Sequence, residues 1–464
     1  MAQAQAQGGS ADPDADVIVV GLGPGGEEVA ARLLDAGLQV IGVEAARLGG
    51  ECANWGCVPS KMMVRAAGVL AEARRVPQLA GEVTVRPSWR PLADRIAAQV
   101  LPGGDDRDAV RGFTGNGGRF VRGHARLVGP RRVRVAGREL AARRGVVLAT
   151  GTRPAVPPVD GLAGTPYWTN RDATHAAALP RTLAVLGGGA VGVELAQAYA
   201  RFGAEVTVVE SGPRLLAREE PAAGEAVAAA LRADGVHVRC GVRIARVTHD
   251  GRAFTLRCAD GPAVTAERLL VAAGRDVATD DLGLESVGLR PGRPVPVDDR
   301  MRAGDGLWAV GDVTGHGAYT HVATYQAQVA ACDILGSLLA PADYRAVPRV
   351  TFTDPEVGAV GLTEAQAREA GTAVQVLRAD LGRAARGWLH GPGGGGSVTL
   401  VVDAEQEVLV GATCVGPSGG EVLGMLTLAV HARVPVANLQ HMIYAYPTFH
   451  RAVQDALRDW APAG

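Results

Sequence analysis

A chain of 464 residues allows roughly three packed units at about 150 residues each. Its 47% hydrophobic and 20% charged residues, with 63 glycines, describe a turn-rich α/β protein and exclude a disordered one. Lys and Arg total 47 against 48 Asp and Glu, a net charge of -1, so no global field favours nucleic acid or an anionic membrane. Six cysteines are too few for a secreted disulfide framework, and no second C-x-x-C completes a zinc site, so no metal ligands are expected.

The opening MAQAQAQGGSADPDAD reads as a flexible tail over residues 1–14; it has no basic start followed by an apolar run, as a signal peptide would. No later stretch is long and apolar enough to span a bilayer, and a cytoplasmic protein is expected. The next stretch, VIVVGLGPGGEEVAARLLDAGLQVIGVE, is an apolar strand, then Gly21, Gly23 and Gly26, then a helical run and a second strand ending at Glu44. A lone G-x-G-x-x-G is weak evidence in a glycine-rich chain. LAVLGGGAVGVELAQAYARFGAEVTVVE repeats the whole unit with Gly187, Gly189, Gly192 and Glu210. The same offset, eighteen residues, separates Gly26 from Glu44 and Gly192 from Glu210, so chance explains the pattern poorly. Glycines there permit a tight turn and bring backbone N–H groups to a pyrophosphate at a helix N-terminus, while the acid takes ribose hydroxyls. Two dinucleotides in one chain suggest a flavin and a nicotinamide. Glu210 would repel a 2′-phosphate, which favours NADH over NADPH; Arg214 and Arg218 are close enough in sequence to swing toward one and oppose this.

Between the two units lies LGGECANWGCVPSK, residues 48–61. Cys57 stands just before Pro59, a residue suited to a helix's first turn, so the helix dipole favours a thiolate at Cys57. Lys61, four residues on, shares its face. A disulfide from Cys52 to Cys57 closes a very small loop, stabilises little and is readily reduced. A redox-active pair accounts for the spacing best; buried unpaired cysteines and a metal clip are the alternatives. Cys240, Cys258, Cys332 and Cys414 are scattered in apolar or strand-like stretches and read as inert.

Taken together, the glycine fingerprints and C-x-x-x-G-C-x-P-S-K resemble the class I flavoprotein disulfide reductases, the family of dihydrolipoamide dehydrogenase, glutathione reductase and mercuric reductase. VVLATGTRP, with Thr150 and Gly151, is similar to the family's turn between the FAD and NAD parts. LLVAAGRDV, with Gly274 and Arg275, is similar to its return segment, and LWAVGDVTG, with Gly311 and Asp312, to the segment whose aspartate bonds the flavin's ribityl chain. RVTFTDPEVGAVGLTEAQA, from 349, resembles the entry to the dimerisation domain. The resemblance implies two Rossmann-like dinucleotide-binding domains plus a C-terminal α+β dimerisation domain: FAD-binding over 15–150, NAD(P)-binding over 151–275, a return to the FAD domain over 276–346 and the interface domain over 347–464. A helix beginning near Thr320 would point its N-terminus at the flavin ring, with His321 positioned there rather than reacting.

The implied chemistry runs from NADH through FAD to the Cys52–Cys57 disulfide, with Cys57 against the flavin, Cys52 exchanging with substrate, and Lys61 paired with Glu194 near the flavin. Where glutathione reductase carries a gating tyrosine, after Gly189, this chain has Ala190. The resemblance also implies a homodimer with the active site shared across its interface. One departure stands out. The family's disulfide reductases carry a His-Pro-Thr segment with a glutamate five residues past the histidine, whereas YAYPTFHR places Tyr446 and Arg451 there. A tyrosine, with an ordinary pKa of ~10, donates a hydrogen bond but is a poor base near neutrality. His450, one helical turn from Tyr446, is either a substitute base or a surface histidine. Mercuric reductase also carries a tyrosine there, although LRDWAPAG offers no C-terminal cysteine pair and no N-terminal metal-binding module precedes. Three readings follow: a reductase of a small-molecule disulfide or related sulfur substrate, a reductase of metal ions or quinones, and a flavoprotein subunit of a larger complex.

Overall fold

The computed structural model describes residues 13–338 and 340–461; the leading tail, apart from residues 13 and 14, lies outside the described residues. Two compact units result, each drawn from three separate stretches of chain. The first takes the N-terminal residues to Asn54, Gly103–Arg153 and Asp276–Ala342; the second takes Trp55–Pro102, Pro154–Arg275 and the chain from Asp343 onward.

In the first unit the strand Ala15–Val20 lies between Val40–Glu44 and Arg138–Leu148, parallel to both. Arg119–Arg122 extends the sheet beyond Val40–Glu44, and Leu307–Ala309 extends it beyond Arg138–Leu148. A parallel strand is covered on both faces, which is why Ile18, Val19, Ile41, Val146 and Val147 form continuous apolar runs and not alternating ones. The helix Pro24–Asp35 starts immediately after Gly23 with a proline in its first turn and packs against the helix Thr320–Leu335. The latter begins at the residue expected from the sequence.

The second unit repeats the βαβ plan. Thr182–Leu186 is flanked in parallel by Glu205–Val209 and Arg268–Val271, with His237–Arg239 at the edge. The intervening helix, Ala190–Phe202, is almost wholly buried and ends on Gly203 in the left-handed conformation at φ 110°. A five-stranded antiparallel sheet, Pro348–Thr351, Glu356–Gly361, Val408–Gly416, Ser397–Asp403 and Val374–Asp380 in spatial order, packs on the helix Gly419–His431. The helix Cys57–Arg75 packs along Ala190–Phe202 within this unit. Among the described residues no helix is long and apolar enough to cross a membrane.

Glu27 sits in the first turn of the helix Pro24–Asp35, where burial, with the nearby Glu44 adding to it, pushes its carboxyl from 4.5 up to about 7. A folded value above the unfolded one means that the fold favours the protonated acid. Its contribution is fully present below the unfolded value and lost as the pH rises through about 7. Glu27→Gln is therefore expected to stabilise the protein at pH 8 by on the order of 2 kcal/mol, with the gain vanishing toward pH 5 in thermal melts. An equal gain at both pH values would assign the effect to something other than ionisation.

Candidate active site

The two glycine fingerprints have the same internal logic. A Cβ on Gly21 would lie 2.4 Å from the Ala149 carbonyl oxygen, and one on Gly26 2.0 Å from the Gly21 carbonyl oxygen. In the second fingerprint, Gly187 would meet the Ala272 oxygen at 2.3 Å and Gly192 the Gly187 oxygen at 2.1 Å. These four are glycine because backbone is packed against them. The middle glycines differ. Gly189 has nothing within 4 Å of a built Cβ, and Gly23 has only the Gly50 Cα at 3.7 Å. Space left open beside the start of a helix, with no protein atom to fill it, fits a bound pyrophosphate.

Each fingerprint acid is held by loop amides. Glu44 accepts from Leu22 N at 2.8 Å and Ala46 N at 2.7 Å; Glu210 accepts from Gly188 N and Gly212 N, both at 2.6 Å. Arg214 does not swing free toward a ribose, because its guanidinium donates to the carbonyls of Leu216, Ala217 and Glu219 at 2.8 to 2.9 Å. Arg218 is exposed. In the first unit Asp312 accepts from Thr152 Oγ1 at 2.7 Å, Thr150 Oγ1 donates to Ala278 O at 3.1 Å, and Ala278 N donates to Gly151 O at 3.1 Å. Gly311 holds φ 80°, and its N–H donates to the fully buried Gln326 at 2.7 Å. His321 stacks on Tyr319, ring centroids 5.3 Å apart, at the start of its helix. Gly274, at φ 124°, presents its carbonyl to Ala155 N at 3.0 Å, and Arg275 opens the strand Arg275–Val277.

Cys52 is half-buried in the short helix Gly50–Asn54, and Cys57 is the exposed first residue of the helix Cys57–Arg75. Pro59 lies in that helix's first turn, as the sequence reading requires. Lys61 Nζ reaches Glu194 Oε2 at 2.6 Å, so an ion pair joins the cysteine helix to the helix of the second fingerprint. Glu194 is 5% exposed. Its other oxygen accepts from Phe352 N at 2.8 Å, and the Phe352 ring lies 4.7 Å from the Lys61 ammonium. Ala190 stands in the first turn after Gly189.

For two of the remaining cysteines burial fits an inert role. Cys414 is fully buried, which pushes its thiol up to about 12, and burial also raises Cys240, with Glu210 adding to it. Among the described residues no group of three or more His, Cys, Asp or Glu is placed to hold a metal ion. Near the C-terminus Tyr446 is 68% exposed, and the Arg451 guanidinium lies 5.3 Å from its ring centre. His450 is not one helical turn from Tyr446. The helix starts only at Arg451, and Tyr446 belongs to the turn before it, joined to Pro447 by a cis peptide.

Two nucleotide-type βαβ units, a cysteine at a helix N-terminus and a lysine clamped beside it define a dinucleotide-dependent oxidoreductase. Residues 15–327 match the pyridine nucleotide-disulphide oxidoreductase family and residues 347–457 match that family's dimerisation domain, so the chain belongs to this family. It is 34% identical over 460 residues to dihydrolipoyl dehydrogenase of Thermus scotoductus, covering 95% of this chain and 96% of that one. It is also 34% identical over 441 residues to mercuric reductase of Acidithiobacillus ferrooxidans, covering 93% and 80%. Among solved structures, the HOCl-induced flavoprotein disulfide reductase RclA from Escherichia coli superposes with a TM-score of 0.83 at 26% identity over 96% of this chain and 99% of that one. The protein is an oxidoreductase of a type that is FAD-dependent and uses NAD(P)H, and its dimerisation domain supports a homodimer.

The open middle glycine separates folding from binding in a testable way. Gly189→Ala is expected to leave the melting temperature unchanged while weakening NADH binding by roughly tenfold, the low end of an overpacking penalty. Gly192→Ala, aimed at a carbonyl oxygen 2.1 Å away, is expected to destabilise the fold itself. Comparable melting temperatures for both variants would contradict this division.

Proposed function

We propose that the chain passes electrons from NADH through FAD to the Cys52–Cys57 pair and on to a disulfide or related sulfur substrate. The Lys61–Glu194 ion pair carries this reading, because it ties the helix opened by Cys57 to the helix opened by the second glycine fingerprint. On this reading residues 15–150 and 276–346 bind FAD, 151–275 bind the nicotinamide nucleotide and 347–464 form the interface. Gly21, Gly23 and Gly26 would take one pyrophosphate and Gly187, Gly189 and Gly192 the other. Glu44 and Glu210 would face the ribose hydroxyls; Thr150, Gly151, Gly274, Arg275, Gly311, Asp312 and His321 would border FAD. Preference for NADH is supported by the Glu210 carboxylate and by Arg214 being committed to carbonyls.

FAD, when bound, supplies a two-electron relay between nicotinamide and sulfur. Cys57 holds the negative charge, favoured by the helix N-terminus. Lys61 is held in place by Glu194, so its ammonium remains available beside the redox centre. Cys52 then attacks the substrate disulfide, one substrate thiolate leaves, and closure of Cys52–Cys57 releases the second. Tyr446 of the partner subunit would donate a hydrogen bond to the departing thiolate, with Arg451 stacked on its ring. The absence of a histidine base at 446 favours a second reading, reduction of metal ions or quinones, in which a proton shuttle is dispensable.

Steady-state turnover with NADH and NADPH, across lipoamide, oxidised glutathione, other small disulfides, quinones, Cu(II) and Hg(II), tests these readings together. The sulfur reading expects NADH-driven disulfide turnover that Tyr446→Phe lowers by up to about 10²-fold, while NADH-to-quinone activity is nearly intact. Turnover confined to metal ions or quinones, with every disulfide inert, would transfer the assignment to the second reading.

A further inference from the structure

Trp55 lies between the two cysteines, two residues before Cys57, and is the only bulky aromatic in the span Cys52–Cys57. The structure surrounds it with a short helix from elsewhere in the second unit, Asn170–Thr174. Three of that helix's five residues engage Trp55. Asn170 Nδ2 donates to the Trp55 carbonyl at 3.0 Å, Thr174 Oγ1 lies 3.3 Å from the same oxygen, and the Arg171 guanidinium lies 4.3 Å from the indole centre.

The helix that does this is itself firmly built. Thr169 and Asp172 form a reciprocal capping box, with Thr169 N donating to Asp172 at 2.8 Å. Thr174 Oγ1 also bonds the Asn170 carbonyl at 2.9 Å. Asn170 is 8% exposed and Thr174 2% exposed, so both are buried polar groups committed to these bonds. A helix of five residues has little stability alone. Its side chains instead converge on one residue of the redox loop.

We infer that Asn170, Arg171 and Thr174 are positioning residues that clamp Trp55 and thereby set how readily Cys52 and Cys57 close into a disulfide. This rests on reading the pair as redox-active. Closure is an intramolecular reaction whose equilibrium depends on the effective concentration of one sulfur at the other. Holding the residue two before Cys57 at both its carbonyl and its ring restricts the backbone that links the two cysteines, and on this proposal the restraint favours the closed form. A guanidinium stacked on an indole is a net attraction, and its loss is felt directly in the closure constant.

The test equilibrates the holoenzyme anaerobically with mixtures of glutathione and its disulfide. Protein dithiol and one glutathione disulfide give the protein disulfide and two glutathiones, with two electrons passing from protein sulfur to glutathione. Alkylation and intact mass then count the closed fraction. Arg171→Met and Trp55→Ala are expected to lower the closure constant by roughly tenfold, a shift of about 30 mV toward easier reduction, with melting temperatures kept near wild type. Trp55→Phe, which retains a ring for Arg171, is expected to recover most of that loss; a general packing role would give no such rescue. Closure unchanged in Arg171→Met and Trp55→Ala, or a Trp55→Phe variant as defective as Trp55→Ala, would overturn the clamp alone. A wild-type pair that stays reduced at every glutathione ratio would overturn both the clamp and the redox reading beneath it.

Discussion

The ion pair between Lys61 and Glu194 is the constraint on which the arrangement of the second unit turns. Glu194 is almost fully enclosed, and a carboxylate in that position is tolerable only because Lys61 Nζ and Phe352 N each satisfy one oxygen. Removing the lysine would leave a buried, uncompensated charge, a defect that costs several kcal/mol in comparable sites. The same helix pair is tied again farther along. Arg201, 4% exposed, donates to Asp234 at 2.9 Å and to Asp354 at 2.8 Å, and Arg75 reaches Asp354 at 2.6 Å. Gln197 completes the set by donating to Asp234 and to the Asp354 carbonyl and accepting from the Asp354 N–H. The helix that begins at Cys57 is thus fastened at Lys61 and again at Arg75 to residues 352–354, the connection between the first two strands of the five-stranded sheet.

Two kinds of glycine support this frame. Gly187 and Gly192 are demanded by backbone packed against them, as are Gly21 and Gly26, whereas Gly23 and Gly189 face space that the protein does not use. The distinction matters because a motif match alone cannot say which glycines serve the fold and which serve a ligand. Here the folding glycines set the turn, and the open ones mark where a diphosphate fits. The carboxylates of Glu44 and Glu210, each held by two loop amides, stand at the end of the strand beside their own fingerprint strand, with little rotational freedom left to lose on binding.

Much of this was legible in the sequence, and the parts that were not share a cause. Repeated spacing identified both βαβ units, because local glycine and strand patterns determine them; the helix starts at Cys57 and Thr320 are similarly local. Phe352, Trp55 and Arg171 escaped notice although two of them stand inside quoted motifs, since a ring over a cation joins residues far apart in the chain. Spacing also misled in two places. Arg214 is near Glu210 in sequence but spends its donors on carbonyls of its own loop, and His450 is separated from Tyr446 by a turn and not by a helical repeat. Side-chain destinations of long residues, and the backbone path of a proline-containing segment, are decided by tertiary context.

The central claim is that two electrons taken from NADH come to rest on sulfur, with Cys57 bearing the charge. Anaerobic titration of the purified holoenzyme with NADH, followed by absorbance, addresses it most directly through the long-wavelength band of a thiolate lying against oxidised flavin. Wild type is expected to develop the band after one equivalent of NADH, Cys52→Ser to show it as strongly or more so, and Cys57→Ser to lack it. Bands of equal strength in the two serine variants would contradict the account.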